Sequence, residues 1–147
     1  MTATITITNP ILSGMNPDPS WIWDDEFQRI VLVTSTFELV PGLPIYVSED
    51  MTCWKHVSNV VDADLARRLL IPFVDDSGGV YAPTLRRIHG KYVIACTIAR
   101  LDDRRAMEGG CTESELMRFH AAEGNFILEA DSIEGPWHGP FWIEGAE

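Results

Sequence analysis

Two apolar runs, Val31-Leu32-Val33 and Val93-Ile94-Ala95, lie 62 residues apart in this 147-residue chain, and their surroundings repeat in the same order. After the first run come Pro41-Gly42-Leu43-Pro44, the strand-like Ile45-Tyr46-Val47-Ser48, then Asp50 and Trp54. After the second come Phe126-Ile127-Leu128-Glu129, then Asp131 and Trp137. A unit of about four short strands used twice predicts the blades of a propeller, where each sheet needs neighbours to cover its faces. A single β-sandwich whose strands look alike gives the same periodicity, so the repeat alone leaves both architectures open. Either way the fold class is all-β.

The remaining pattern fills in the strands. Thr4-Ile5-Thr6-Ile7-Thr8 alternates β-branched residues with period two and is closed by Asn9-Pro10, which predicts an opening strand. Residues 20–23 form a short aromatic run ended by Asp24-Asp25-Glu26. Residues 29–36 are too apolar for a strand with one wet face and are expected to be buried on both sides. Pro41-Gly42-Leu43-Pro44 reads as a turn, and a strand follows over 54–61. In the second half, strands are expected within 80–88 and over 91–98, 125–129 and 140–143, with His89-Gly90 as a hairpin turn. Two stretches break the β pattern. Residues 62–70 predict one or two helical turns capped by Asp62 or Asp64. Thr112-Glu113-Ser114-Glu115 fits a capping box ahead of Leu116, Met117 and Phe119. The span 100–124 is otherwise long and heavily charged, and is expected to be a mobile loop.

Charge and composition exclude several function classes. Eleven Lys and Arg against 22 Asp and Glu leave a formal net charge of −11, which disfavours nucleic acid and anionic membrane surfaces as partners. No apolar run reaches the ~20 residues of a membrane span, and the first residues lack the unbroken apolar core of a signal peptide, so a cytoplasmic location is expected. Cys53, Cys96 and Cys111 are odd in number and lack C-x-x-C spacing, which argues against a disulfide framework or a cysteine zinc site. His56, His89, His120 and His138 are scattered with no i,i+4 pair. Asp75-Asp76 and Asp102-Asp103 lack the alternating ligand spacing of a calcium loop and read as turn residues. No metal and no cofactor are expected. Cys96, in an apolar strand, reads as a small core residue, and Arg67-Arg68 and Arg104-Arg105 as solvated faces.

One segment carries chemistry. In Asn16-Pro17-Asp18-Pro19-Ser20 two prolines fix the backbone on both sides of one carboxylate, and Pro19 pushes Asp18 out of helical conformations. An aromatic strand follows at once. A rigidly presented aspartate beside aromatic surface suits a general base that holds water against a sugar. An Asx-type turn that merely starts the strand has the same sequence, and the segment alone leaves both readings open.

The wider context resembles the opening of glycoside hydrolase family 43, which contains β-xylosidases and α-L-arabinofuranosidases. Asn9-Pro10-Ile11-Leu12 with Gly14, then N-P-D-P-S, then Thr34-Ser35-Thr36-Phe37-Glu38 and Pro41-Gly42-Leu43-Pro44-Ile45-Tyr46 follow the family's order. So do Ser48-Glu49-Asp50 before Trp54, the run Ser77-Gly78-Gly79-Val80-Tyr81-Ala82-Pro83-Thr84-Leu85-Arg86, and Asn125-Phe126 through Gly135-Pro136-Trp137. The resemblance implies a five-bladed β-propeller of which this chain is an incomplete part of about two four-stranded antiparallel blades, one over about 9–61 and one over about 78–143. It further implies inverting hydrolysis of terminal xylosyl or arabinosyl residues, with a xylo- or arabino-oligosaccharide as partner. Asp18 matches the family's general base, and Phe37 and Tyr81 match aromatic positions that line the terminal-sugar subsite. Tyr81 is a departure, because the family usually carries Trp there.

A second departure concerns the end of the sequence. The family's tuning aspartate and acid glutamate lie in later segments, and no residue here matches the acid motif; Glu144 and Glu147 are poor substitutes. The chain is therefore expected to be a hydrolase by descent that is inactive alone. The rival expectations are a non-catalytic carbohydrate-binding remnant and a structural fragment. Two blades without their ring leave open strand edges, which invite self-association.

Overall fold

The computed structural model describes residues 4–145. Eight strands form two four-stranded antiparallel sheets, each in simple sequence order. The first holds β1 (Ser20–Asp24), β2 (Arg29–Val33), β3 (Gly42–Ser48) and β4 (Lys55–Val61). The second holds β5 (Val74–Ile88), β6 (Lys91–Leu101), β7 (Asn125–Ala130) and β8 (His138–Trp142). These are two propeller blades, each an up-and-down meander of four strands. The sheets meet chiefly through their first strands, β1 against β5. The core lies between them. Val31, Val33, Leu43 and Ile45 of the first sheet join Val80, Leu85, Ile94 and Phe126 of the second in one cluster, and all eight are fully buried. As expected, β2 is buried on both faces: Ile30, Val31, Leu32 and Val33 are all within the core. β6 instead alternates, with Tyr92, Ile94, Cys96 and Ile98 inward and the intervening residues half-buried.

The first Asp-to-Trp landmark has a local cause. In the β3–β4 turn, Asp50 accepts hydrogen bonds from the Thr52 hydroxyl at 2.7 Å and from the Thr52 and Cys53 amides at 2.8 and 3.0 Å. Those donors hold its carboxyl down at about 2, the Thr52 hydroxyl contributing most. Trp54 closes the same turn by donating from Nε1 to the Met51 carbonyl at 3.1 Å. The second landmark is built differently: Trp137 Nε1 is buried with no hydrogen-bond partner, where Trp54 Nε1 has one.

Three expectations are corrected. Residues 4–8 form no strand, and Ile5 and Ile7 are 59% and 43% exposed. Alternation supplies only propensity, and a strand needs a partner edge that this segment does not find. The run from Gly42 to Pro44 is not a turn but the start of β3. β2 pairs only with Ile45–Ser48, so Pro44 sits where one side of β3 has no ladder to interrupt. The span 100–124 is not a mobile loop. It continues β6 to Leu101 and then folds as α2 (Asp103–Glu108) and α3 (Glu113–Ala121), with Ala106, Cys111, Leu116 and Phe119 buried. Its charges lie on outward faces while these apolar groups join the core; Phe119 meets Trp142 edge-on at 5.6 Å.

The capping expectations hold. Asp62 caps α1 (Ala63–Arg68) by accepting from the Leu65 amide, and Thr112 and Glu115 form the reciprocal box of α3. Asp75 and Asp76 lie in the irregular start of β5, and Asp102 is the N-cap of α2, so neither pair is a simple turn. The paired arginines do more than face solvent. Arg67 stacks on Phe73 and donates to the Cys111 thiol at 3.2 Å, and Arg105 donates to the Val74 carbonyl at 2.9 Å. Among the described residues no helix is long and apolar enough to cross a membrane.

Candidate functional site

Where β1 begins and β2 ends, the sequence supplies one aspartate flanked by two prolines and three buried hydroxyl residues, Thr34, Ser35 and Thr36. The Ser35 amide donates to the Pro17 carbonyl at 2.9 Å, which pins the N-P-D-P segment against the end of β2. Asp18, caught between its prolines, leaves the right-handed helical region as expected, but takes φ 50° rather than an extended conformation. This left-handed region is uncommon for residues other than Gly, Asn and Asp. The carboxylate is exposed, and its Oδ2 accepts from the Ser35 hydroxyl at 2.8 Å.

The aromatic wall comes from both sheets. Phe37 follows β2, and its backbone forms a two-way bridge with Val80 of β5, at 3.1 and 3.0 Å. That bridge places the Phe37 ring beside Tyr81, the next residue of β5; their centroids are 4.7 Å apart with planes tilted by 41°. Both rings are half-buried and so keep accessible surface. The Tyr81 hydroxyl donates to the Ser77 carbonyl, which fixes the ring's tilt. Phe37 (φ 54°) and Ala82 (φ 44°) join Asp18 in the left-handed region. The fold thus brings together Asp18, Phe37 and Tyr81, which stand far apart in the sequence.

Two residues complete the arrangement, and sequence reasoning places neither in the site. Ser35 is wholly buried and touches both Asp18 and the backbone of Ala82. Its only signal was the run of three hydroxyl residues directly after an apolar strand, a place where buried polar groups need partners. Cys96 is a core residue, as expected, but its thiol also donates to the Tyr81 carbonyl at 2.9 Å. Burial pushes that thiol up to about 12, so it stays protonated and unreactive at neutral pH. Titration of the native chain with a thiol reagent is expected to modify exposed Cys53 quickly and to spare Cys96 and Cys111 until the chain is denatured. Rapid labelling of Cys96 in the native state would contradict its placement.

A shallow depression of about 320 Å³ lined by Ala82, Cys96, Thr97 and Asn125 adjoins the aromatic pair. A larger cleft of about 410 Å³, lined by Arg29, Ser48, Asp50 and Lys55, lies at the opposite end of the first sheet, because β2 starts at Arg29 and runs toward Ser35. It has no aromatic surface among its lining residues. Glu144 is exposed, and Glu147 lies outside the described residues.

The chain is 36% identical over 140 residues to a non-reducing end α-L-arabinofuranosidase of Bacteroides ovatus, covering 94% of this chain and 22% of that protein. It is 39% identical over 134 residues to a putative β-xylosidase of Escherichia coli, covering 91% of this chain and 22% of the relative. Among solved structures, a family 43 protein from a Bacteroides ovatus xyloglucan locus superposes with a TM-score of 0.72 at 33% identity, over 95% of this chain and 23% of that one. A xylan β-1,4-xylosidase from Bacillus halodurans gives 0.70 at 28% identity, over 96% and 24%. The chain therefore spans about a fifth of the length of the curated relatives it matches. The family model "Glycosyl hydrolases family 43" matches residues 7–147, almost the whole sequence, and this chain belongs to that family.

Proposed function

We propose that this chain supplies the general base and one aromatic wall of the terminal-sugar subsite of an inverting glycoside hydrolase acting on terminal xylosyl or arabinosyl residues. The observation that carries the reading is the exposed Asp18 carboxylate, held by Ser35 beside the Phe37–Tyr81 pair. In that role Asp18 takes a proton from the water that attacks the anomeric carbon, while the two rings pack on the apolar face of the sugar. A neutral saccharide is held by stacking and hydrogen bonds, so the net charge of −11 is no obstacle. Inversion also needs a carboxylic acid on the far side of the sugar, roughly 6.5–9.5 Å from the base, to protonate the leaving oxygen. On this reading that acid comes from outside the described residues, and the chain alone is a poor catalyst, because a positioned general acid contributes ~10²–10⁴-fold.

Assays on aryl xylosides and aryl arabinofuranosides test the catalytic half. The expected result is turnover close to background, and turnover abolished by Asp18→Asn would show that the chain carries its own acid. Calorimetric titration with xylobiose and arabinobiose tests the binding half. Tyr81→Ala and Phe37→Ala are each expected to weaken binding at least about fivefold, the loss of roughly 1 kcal/mol of aromatic contact. Binding without turnover is also what a carbohydrate-binding remnant would give. Absence of binding would remove the saccharide reading altogether.

A further inference from the structure

The peptide between Tyr81 and Ala82 is held by two side chains. Its carbonyl accepts from the Cys96 thiol at 2.9 Å, and its N–H donates to the Ser35 hydroxyl at 2.8 Å. The cause is a register shift in the β5–β6 pairing between Tyr81 and Thr84, which takes this peptide out of the regular ladder. Ser35 passes the interaction on. With its oxygen occupied by the Ala82 N–H, its own hydrogen points to Asp18 Oδ2 at 2.8 Å. The donors run in one direction, from amide to hydroxyl to carboxylate, and each bond polarises the next. Ser35 is completely buried, so its hydroxyl is shielded from water.

We propose that Ser35 is a positioning residue that fixes Asp18 against the Tyr81–Ala82 peptide, so that the base, which leads into the first sheet, and the sugar-stacking ring, which lies in the second, move as one unit. The inference rests on the reading of Asp18 as base and Tyr81 as sugar platform. Its physical content is that a hydroxyl at position 35, and not merely a small side chain, is required. Misplacement of a reacting group by about 1 Å can cost ~10²-fold, which is the scale such a strut guards against.

Amide spectra of the full chain test this directly. In Ser35→Ala the Ala82 amide is expected to shift and to exchange with solvent at least about tenfold faster, which corresponds to the loss of one hydrogen bond. Xylobiose affinity should fall at least about fivefold. Asp18→Asn changes an exposed residue and leaves the core intact; losing the charge shifts nearby amides by itself, so the readout is Ala82 exchange, expected to quicken as the Ser35 hydroxyl loses its anionic partner. If Ser35→Ala fails to fold, this second variant decides. Ala82 exchange unchanged in Asp18→Asn, or an Ala82 amide unchanged in a folded Ser35→Ala, overturns the proposal, as does a shifted amide in Ser35→Ala with unaltered xylobiose affinity. Failure of the unmodified chain to bind any saccharide would instead defeat the functional reading, and Ala82 exchange would still judge the strut.

Discussion

Arg87→Ala is expected to lower stability by about 3 kcal/mol, the lower end of the ~3–5 kcal/mol seen when a buried ion pair loses one partner. Asp24, the last residue of β1, is completely buried and accepts from Arg87 Nη1 at 2.5 Å and from the Tyr92 hydroxyl. Arg87 and Tyr92 belong to β5 and β6, so this network fastens one sheet to the other at the end away from Asp18. Truncating Arg87 leaves a carboxylate that cannot reach water. Arg29 Nε, 3.6 Å from Asp24, compensates only in part. Asp24→Asn is expected to cost less, because Arg87 keeps 23% of its side chain exposed and can turn to solvent or to Glu26. In thermal unfolding the Arg87→Ala midpoint should drop by about 6–12 °C, at about 2–4 °C per kcal/mol for a domain of this size. Equal midpoints for Arg87→Ala and the parent chain would show that the network contributes nothing. The pH dependence has a definite sign. Burial, and then the bond to Asp24, raise the Tyr92 phenol above its ordinary 10.0. Its contribution is therefore complete below about pH 10 and is lost as pH rises through the elevated value.

The second large effect is expected for Gly79→Ala. Gly79 has φ +102°, a conformation essentially confined to glycine, and an added Cβ would collide with the Phe37 carbonyl and lie 2.7 Å from the Glu38 nitrogen. Backbone strain of about 1–3 kcal/mol and overpacking of a further roughly 1–3 kcal/mol would act together. The neighbouring residue, Val80, forms the bridge to Phe37, so the clash falls on the contact that holds Phe37 beside Tyr81. Gly90→Ala is the matching control. Gly90 has φ +84° in the β5–β6 turn, but a Cβ there meets nothing within 4 Å, so only the strain remains. Urea denaturation of the two variants should show Gly79→Ala losing at least about twice as much as Gly90→Ala, and saccharide binding should vanish in the first alone. Comparable losses would mean that the close approach of β5 to Phe37 is unimportant.

Both predictions rest on contacts between residues far apart in the chain, and that division runs through the whole protein. The strands over 29–33, 45–48 and 91–98 could be read directly, because burial on one or both faces leaves a residue-by-residue imprint. The helix caps at Asp62 and Thr112 could be read too, since a cap bonds only three residues ahead. The resemblance to family 43 singled out Asp18, Phe37 and Tyr81 as motif positions. It did not show Ser35 as the link between Asp18 and Ala82.

The errors share a cause with that omission. Residues 4–8 have strand chemistry but no partner edge, and Pro44 enters a strand because the neighbouring strand has already ended. The charged span 100–124 packs because a few apolar residues at helical spacing find the flank of the second sheet. What the amino-acid order determined alone was set by neighbours within a few residues: the periodicity of the buried strands, the helix caps and the proline clamp around Asp18. The tertiary structure decided which of those pieces touch, through the Asp24–Arg87 fastening, the Phe37–Val80 bridge and the Ser35 strut. Each of these joins groups at least 17 residues apart, and such pairings depend on how whole sheets pack, a property that no local pattern of side chains encodes.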